Sequence, residues 1–227
     1  MYKETAKLIL YRDLGEDSIL LKLAGIFEDF DLNRASKAEL TTRIYAQMKA
    51  LLDLATQYGF DKNLWHNYLT FILLTNENSF SMTSEKVGAN DGTVNHFAKS
   101  DFAIFKKLFD FDFGPIEEAL GIDCFTTVCH YHSIQKKERM YNKNVSEKVQ
   151  AVSEQIEQAA DEEEIFRIVT DFYAAYGVGM FGLNRAFRIR HLENGVEFLP
   201  INNTDRVLLK DLIGYEIQKK KLIENTE

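Results

Sequence analysis

Four clusters in the sequence have residue types and spacings that could do chemistry. Gly177, Val178, Gly179, Met180, Phe181 and Gly182 spell G-x-G-x-x-G, the pattern with which a tight turn lays backbone amides against a pyrophosphate. That chemistry needs a strand before the glycines and a helix after them. Here a helical pattern precedes and a strand pattern follows, so the spacing predicts a flexible link that ends a helix at Gly177. Cys124, Cys129, His130 and His132 supply metal-ligand types, but a structural zinc site takes two short, separated pairs. Neighbours 129 and 130 diverge on a helix or a strand, so the group reads as two packed thiols and two ordinary histidines. A Cys129 nucleophile served by His66, His96 or His191 stays open on sequence alone.

The other two clusters are weaker. Asp112, Phe113 and Gly114 match the magnesium-binding triplet of protein kinases, yet no H-R-D loop or V-A-I-K strand accompanies them. The acidic run from Asp161 to Glu164 sits at a predicted helix N-terminus, where negative charge is stabilising without any catalytic role. No H-E-x-x-H, no G-x-S-x-G and no complete G-x-x-x-x-G-K-S/T occurs, and no catalytic residue is assigned.

The elements that must position these residues are mostly helical. Only two prolines interrupt 227 residues rich in helix formers. Ser36 and Glu39 have capping-box spacing, Leu40, Ile44, Met48, Leu51, Ala55 and Tyr58 form one stripe, and Gly59 supplies a stop. Two shorter amphipathic helices are predicted before it, over 5–14 and 18–30, the first ended by Gly15 and the second started by Asp17. A helix started by Asp61, through Trp65, Tyr68, Phe71, Ile72 and Leu74, is apolar around its circumference and should lie centrally.

Residues 75–100 read as a long loop, from their Asn, Ser, Thr and Gly content. Phe97, Phe102, Phe105, Phe109, Phe111 and Phe113 follow around a helix that Asp101 could cap. They read as core, with a peptide-binding groove as the alternative. Pro115 fits the first turn of a short helix that Gly121 ends. After a polar stretch over 133–146, Ser146 and Asp161 can each cap a helix of a hairpin pair, the second carrying Ile165, Val169, Phe172 and Tyr176. Phe187 and Ile189 then alternate with Arg188 and Arg190, and Asn194 with Gly195 offers a turn, so a β-hairpin is predicted, Pro200 placing its second strand at an edge.

The formal net charge is −8, which repels polyanions and makes nucleic acid an unexpected partner. Lys136, Lys137, Arg139 and Lys143, and then Arg185, Arg188 and Arg190, read as solvated basic patches. Two closely spaced cysteines are not a disulfide framework, the N-terminus lacks an apolar run after a basic start, and no uncharged stretch reaches the roughly 20 apolar residues of a membrane span. A cytoplasmic location with no membrane association is expected.

The C-terminal residues point elsewhere. Leu208, Leu209, Lys210, Asp211, Leu212, Ile213, Gly214, Tyr215 and Glu216, followed by Gln218, Lys219, Lys220, Lys221 and Leu222, resemble the segment that leads into an AAA+ ATPase core. There a short apolar turn ending in Ile-Gly and an acidic or aromatic residue precedes a helix and then the P-loop strand. From the Gly177–Gly182 link through Asn184, Arg185, Ala186, Phe187 and Arg188 to Glu227, the arrangement is similar to the upstream half of a bacterial predicted-ATPase family of uncharacterised function.

The resemblance implies that Leu212, Ile213, Gly214 and Tyr215 would form part of an adenine pocket. A turn at Gly214 would let backbone approach the ring, and Ile213 and Tyr215 would offer apolar surface to it. The phosphate-binding loop and its acidic partners are absent from these 227 residues. The chain itself therefore takes no cofactor, and ATP and magnesium are expected only with the missing module.

The fold class expected is mainly α, a helical domain with a small β-hairpin near the C-terminus, followed by the lead-in helix of a missing AAA+ module. Residues 1–135 would form a helical N-terminal region, 136–203 a helical hairpin plus the β-hairpin, and 204–227 a linker and that first helix. The function expected is a non-catalytic domain that recruits a protein substrate or regulates access to an AAA+ ATPase, with oligomerisation possible through the motor. A self-contained helical interaction or oligomerisation module is the alternative, and an enzyme built on Cys124 to His132 is a third reading that bound metal or a reactive thiol would support.

Overall fold

Burial of one continuous apolar set explains the architecture. In the computed structural model, which describes residues 1–88, 92–134, 142–184, 186–192, 195–201, 211 and 213–225, twelve helices and one antiparallel hairpin are formed. The helices are α1 (Tyr2–Thr5), α2 (Ile19–Asp31), α3 (Lys37–Tyr58), α4 (Leu64–Thr75), α5 (Ser79–Val87), α6 (Thr93–Phe109), α7 (Gly114–Leu120), α8 (Cys124–Cys129), α9 (Lys143–Gln158), α10 (Glu162–Tyr176), α11 (Gly179–Leu183) and α12 (Glu216–Glu224). The strands are β1 (Phe187–Leu192) and β2 (Gly195–Pro200). The mainly helical class with a C-terminal hairpin stands as the sequence indicates. No helix among the described residues is long and apolar enough to cross a membrane.

α4 is the axis. Leu64, Trp65, Tyr68, Leu69, Ile72, Leu73 and Leu74 are buried around its whole circumference, because α3, α6, α8, α9, α10 and α11 all pack against it. α3 is built as its sequence specifies. Ser36 Oγ accepts from the Glu39 amide, the six residues of the predicted stripe are the six buried ones, and Gly59 closes the helix in the left-handed region at φ 71°. Asp161 caps α10, accepting from the Glu164 amide at 2.9 Å, while Glu164 accepts from the Ala160 amide at 2.7 Å. The acidic run therefore has a structural role. Among the described residues one core cluster takes in side chains from Leu8 to Leu183. The domain boundary expected at 135/136 lies in 135–141, outside the described residues, and Lys136, Lys137 and Arg139 lie there too.

Several expectations are corrected. The loop over 75–100 is mostly helix, as α5 and the first half of α6. Asn78 caps α5 by accepting from the Phe80 and Ser81 amides, and Ser81 Oγ accepts the Asn78 amide in return. Ser81 and Ser84 are buried, on a helix that packs against α10, so small polar residues serve a close helix contact that composition alone reads as loop.

The helix expected over 5–14 ends at Thr5. Asp101, expected to cap α6, lies inside it with no exposed surface. Its carboxylate accepts from the amides of Ile9 at 3.0 Å, Leu10 at 2.8 Å and Tyr11 at 3.0 Å. Those are the donors that a continuing helix would have spent on its own carbonyls. Arg12 satisfies two of the carbonyls left over, donating to Ala6 and Leu8.

Three caps also move. Ser18 rather than Asp17 caps α2, Asn63 rather than Asp61 caps α4, and Asn142 rather than Ser146 caps α9. Ser146 instead lies within α9 and donates to the Gly59 carbonyl at 2.8 Å. Most of the Phe-rich segment is core: Phe102, Phe105, Phe109 and Phe113 are buried and Phe111 is partly so, whereas Phe97 is 41% exposed.

Candidate functional site

Each chemistry-bearing cluster can be followed to its place. Gly177 ends α10 in a positive-φ conformation of 85° and Gly179, at φ 71°, opens the single turn of α11. Gly177 thus ends a helix as the sequence indicates, but Gly179 and Gly182 lie in a short helix where a flexible link was expected. A Cβ on Gly182 would stand 2.3 Å from the Gly177 carbonyl oxygen, and Cβ atoms on Gly177 and Gly179 would meet Glu85 Oε1 at 2.7 Å and Glu77 Oε1 at 2.5 Å. The three glycines are there because the chain doubles back on itself beneath two carboxylates. A phosphate approaching this turn would meet Glu77 and Glu85, the wrong charge for a cradle.

Cys124 and Cys129 stand at the two ends of α8. Glu117, almost wholly buried, accepts from the amides of Phe125 at 2.7 Å and Thr126 at 2.9 Å and from the Thr126 hydroxyl at 2.6 Å. It therefore supplies the N-terminal cap that α8 lacks in its own sequence. Burial first, and then the Glu117 charge, push both thiols up to about 11. A nucleophilic or metal-binding cysteine needs the opposite shift, toward thiolate at neutral pH.

The histidines do not gather around the thiols. His66 donates from Nε2 to the Phe109 carbonyl at 2.9 Å, with its Nδ1 3.8 Å from Glu157. His130 bonds the Thr126 carbonyl through Nδ1 at 3.0 Å, His132 is exposed, His96 lies beside Phe97, and His191 is on the hairpin. No group of three metal-ligating side chains occurs among the described residues.

The Asp112–Gly114 triplet is a turn. Asp112 accepts from the Gly114 amide at 2.8 Å, Pro115 follows in the first turn of α7, and Phe113 stacks on Phe125 with centroids 4.3 Å apart while meeting Trp65 edge-on. Its Phe is core and its Asp a local cap.

What the fold leaves open is surface. An open groove of about 400 Å³ runs between α9 and α10. Ala151, Val152, Ile168 and Phe172 line it, and at one end Lys148 lies 4.2 Å over the Tyr176 ring and donates to the Gly182 carbonyl at 2.6 Å. Beyond it the hairpin stands on α11. Phe181 packs against Phe187 at 4.7 Å and Phe198 at 5.4 Å between centroids, yet remains more than half exposed, as do Ile189 and Val196. The pairing joins Leu192 to Gly195, so Gly195 belongs to β2. The predicted turn residue Asn194 lies outside the described residues, as does Arg185.

Of the residues assigned by resemblance, Leu212 also lies outside the described residues. Gly214 takes φ 87° with open space around it, Ile213 is 90% exposed, Tyr215 is exposed, and α12 buries none of its residues. Sequence reasoning missed the roles of Asp101, Glu117 and Lys148, whose partners lie 8 to 92 positions away. Only the presence of a carboxylate on an apolar helix face, as at Asp101, could have signalled one of them. Comparison with protein-family models, curated proteins and solved structures found no match to this chain.

Proposed function

We propose that this chain is a non-catalytic helical domain that recruits a protein substrate to, or regulates access to, an AAA+ ATPase core that follows it. The observation that carries the reading is the separation at the C-terminus. Among the described residues the apolar core has its last member at Leu183, whereas Ile213, Gly214, Tyr215 and α12 keep apolar side chains in solvent and bury no residue. A lead-in segment whose packing partner is the next domain has this character.

Sequencing the coding region past Glu227 tests the proposal. A glycine-rich phosphate loop with its lysine shortly downstream is expected, and a stop codon directly after Glu227 overturns it. The isolated chain should show no saturable binding of a fluorescent ATP analogue at about 1 mM, an affinity weaker than about 4 kcal/mol.

The exposed hairpin favours a second reading, a self-contained interaction or oligomerisation module. It requires association that survives deletion of residues 204–227, where the ATPase-linked reading requires none.

A further inference from the structure

Two buried side-chain polar atoms among the described residues lack a hydrogen-bond partner, Nδ1 of His66 and Oγ1 of Thr70. Only the first belongs to a group that can change its charge near neutral pH. The His66 side chain is 12% exposed, and its ring lies against Phe109 with centroids 4.6 Å apart. Nε2 is 2.9 Å from the Phe109 carbonyl oxygen, and a carbonyl only accepts, so Nε2 carries the hydrogen. Neutral imidazole has one N–H, which leaves Nδ1 with a bare lone pair. Across from that lone pair stands Glu157 Oε2 at 3.8 Å, an acceptor facing an acceptor.

We infer that His66 and Glu157 form a proton-operated latch, in which protonation at Nδ1 makes an imidazolium held between the Phe109 carbonyl and the Glu157 carboxylate. One proton is taken from solvent and no other covalent bond changes. The latch ties α4 to the last residue of α6 and the last turn of α9. Glu157 is 58% exposed, so its carboxylate is free to close from 3.8 Å to a charge-assisted hydrogen bond of about 2.8 Å. Burial opposes a charge on the ring, and an acceptor at each nitrogen compensates it.

The other charges on the elements packed against α4 have partners of their own or lie in other settings. α6 brings Lys106, which pairs with Asp110 at 3.4 Å and reaches the Glu157 main-chain carbonyl at 3.5 Å. Before α4, Asp61 accepts from the Ser133 amide, and Lys62 pairs with Glu154 of α9. α3 pairs Lys49 with Asp53 and Arg43 with Asp29 and Glu39, and its Lys37 donates to the Ala119 carbonyl. α8 and α11 contain no charged residue, and His130 after α8 bonds the Thr126 carbonyl. α10 pairs Glu163 with Lys99 and Arg167 with Glu164, while Glu162 sits in its first turn and Asp171 lines the groove with α9. Glu157 is thus the carboxylate placed to receive the proton's charge.

Urea unfolding of the full chain beside His66→Gln, which keeps a donor toward Phe109 and does not titrate, decides it. A proton bound more tightly by the folded chain than by the unfolded one stabilises the fold below the imidazole range, and that stabilisation is lost as pH rises through the range. The ratio of the two folding constants, parent over His66→Gln, should therefore be about tenfold larger at about pH 5.5 than at about pH 8. With Glu157→Gln in both chains the ratio should change by less than about twofold over the same interval. Glu154→Gln in both chains removes the partner of Lys62 instead, and should leave the tenfold change in place. Nitrogen NMR of the parent imidazole at about pH 8 should show the Nε2–H tautomer, a readout that needs no variant to fold. A ratio independent of pH overturns the inference, as does a pH dependence that survives Glu157→Gln or vanishes with Glu154→Gln, or an Nδ1–H tautomer in the parent.

Discussion

Asp101 shows how one buried carboxylate can decide the path of a distant segment. Its two oxygens serve three consecutive amides of residues 9–11, and a helix beginning at Tyr2 stops where those amides turn toward it. Asp101→Asn keeps the shape but replaces one acceptor with a donor that faces other donors. It should cost about 2–4 kcal/mol in the urea unfolding free energy, with unfolding kinetics that show the N-terminal segment released first. The apolar stripe of α6 was legible in its sequence. The clamp was not, because nothing in a single chain marks which amides a carboxylate 90 positions away will meet.

The thiols give a second prediction at this scale. With Cys124 and Cys129 raised to about 11 from an ordinary 9.0, the folded chain holds protons that the unfolded chain releases between about pH 9 and 11. The contribution to stability is therefore complete below about pH 9 and is lost as pH rises through that window. The urea midpoint should fall as pH is raised from 9 to 10, and fall less in a chain carrying both Cys124→Ser and Cys129→Ser. At pH 8 both thiols should react with a disulfide reagent about 100-fold more slowly than a free thiol.

At the scale of elements, local signals were reliable where the partner lies within a turn. Ser36, Asp161, Gly59, Gly121 and the alternating hairpin all stand where spacing put them. They failed in α5, whose serines look like loop but lie at a helix contact, and at Gly179, where a short helix begins in place of the expected link. The motif's three glycines answer to a reversal of the chain beneath Glu77 and Glu85, carboxylates about 100 positions away that the local pattern does not disclose. Gly182 isolates the steric part of that constraint, since its Cβ would strike backbone 2.3 Å away whereas the one at Gly214 would meet nothing. Gly182→Ala should destabilise by about 2–4 kcal/mol in thermal or urea unfolding. Gly214→Ala carries only the left-handed backbone strain, about 1 kcal/mol, on a segment outside the core.

For the whole molecule, the sequence conveyed the helical class with its small C-terminal hairpin, because both follow from composition and spacing. The convergence of α3, α6, α8, α9, α10 and α11 on α4 was legible only as a helix too apolar for the surface. The surfaces left open were not legible, since exposure is set by what every other element fails to cover. That distribution predicts uneven stability. α4 and α10 lie in the common core and should open only on global unfolding, so their amides should exchange with hydrogen isotope at the rate set by the full unfolding free energy. α12 has nine residues and buries none, and a helix so short is marginal without tertiary packing. Its amides should exchange within about tenfold of the unstructured rate. Removing residues 213–225 should then leave the melting temperature of the core within about 2 °C, a shift equivalent to under 1 kcal/mol for a chain of this size. A larger loss would mean that α12 supports the helical core, and the reading of this segment as a lead-in to another domain would fall with it.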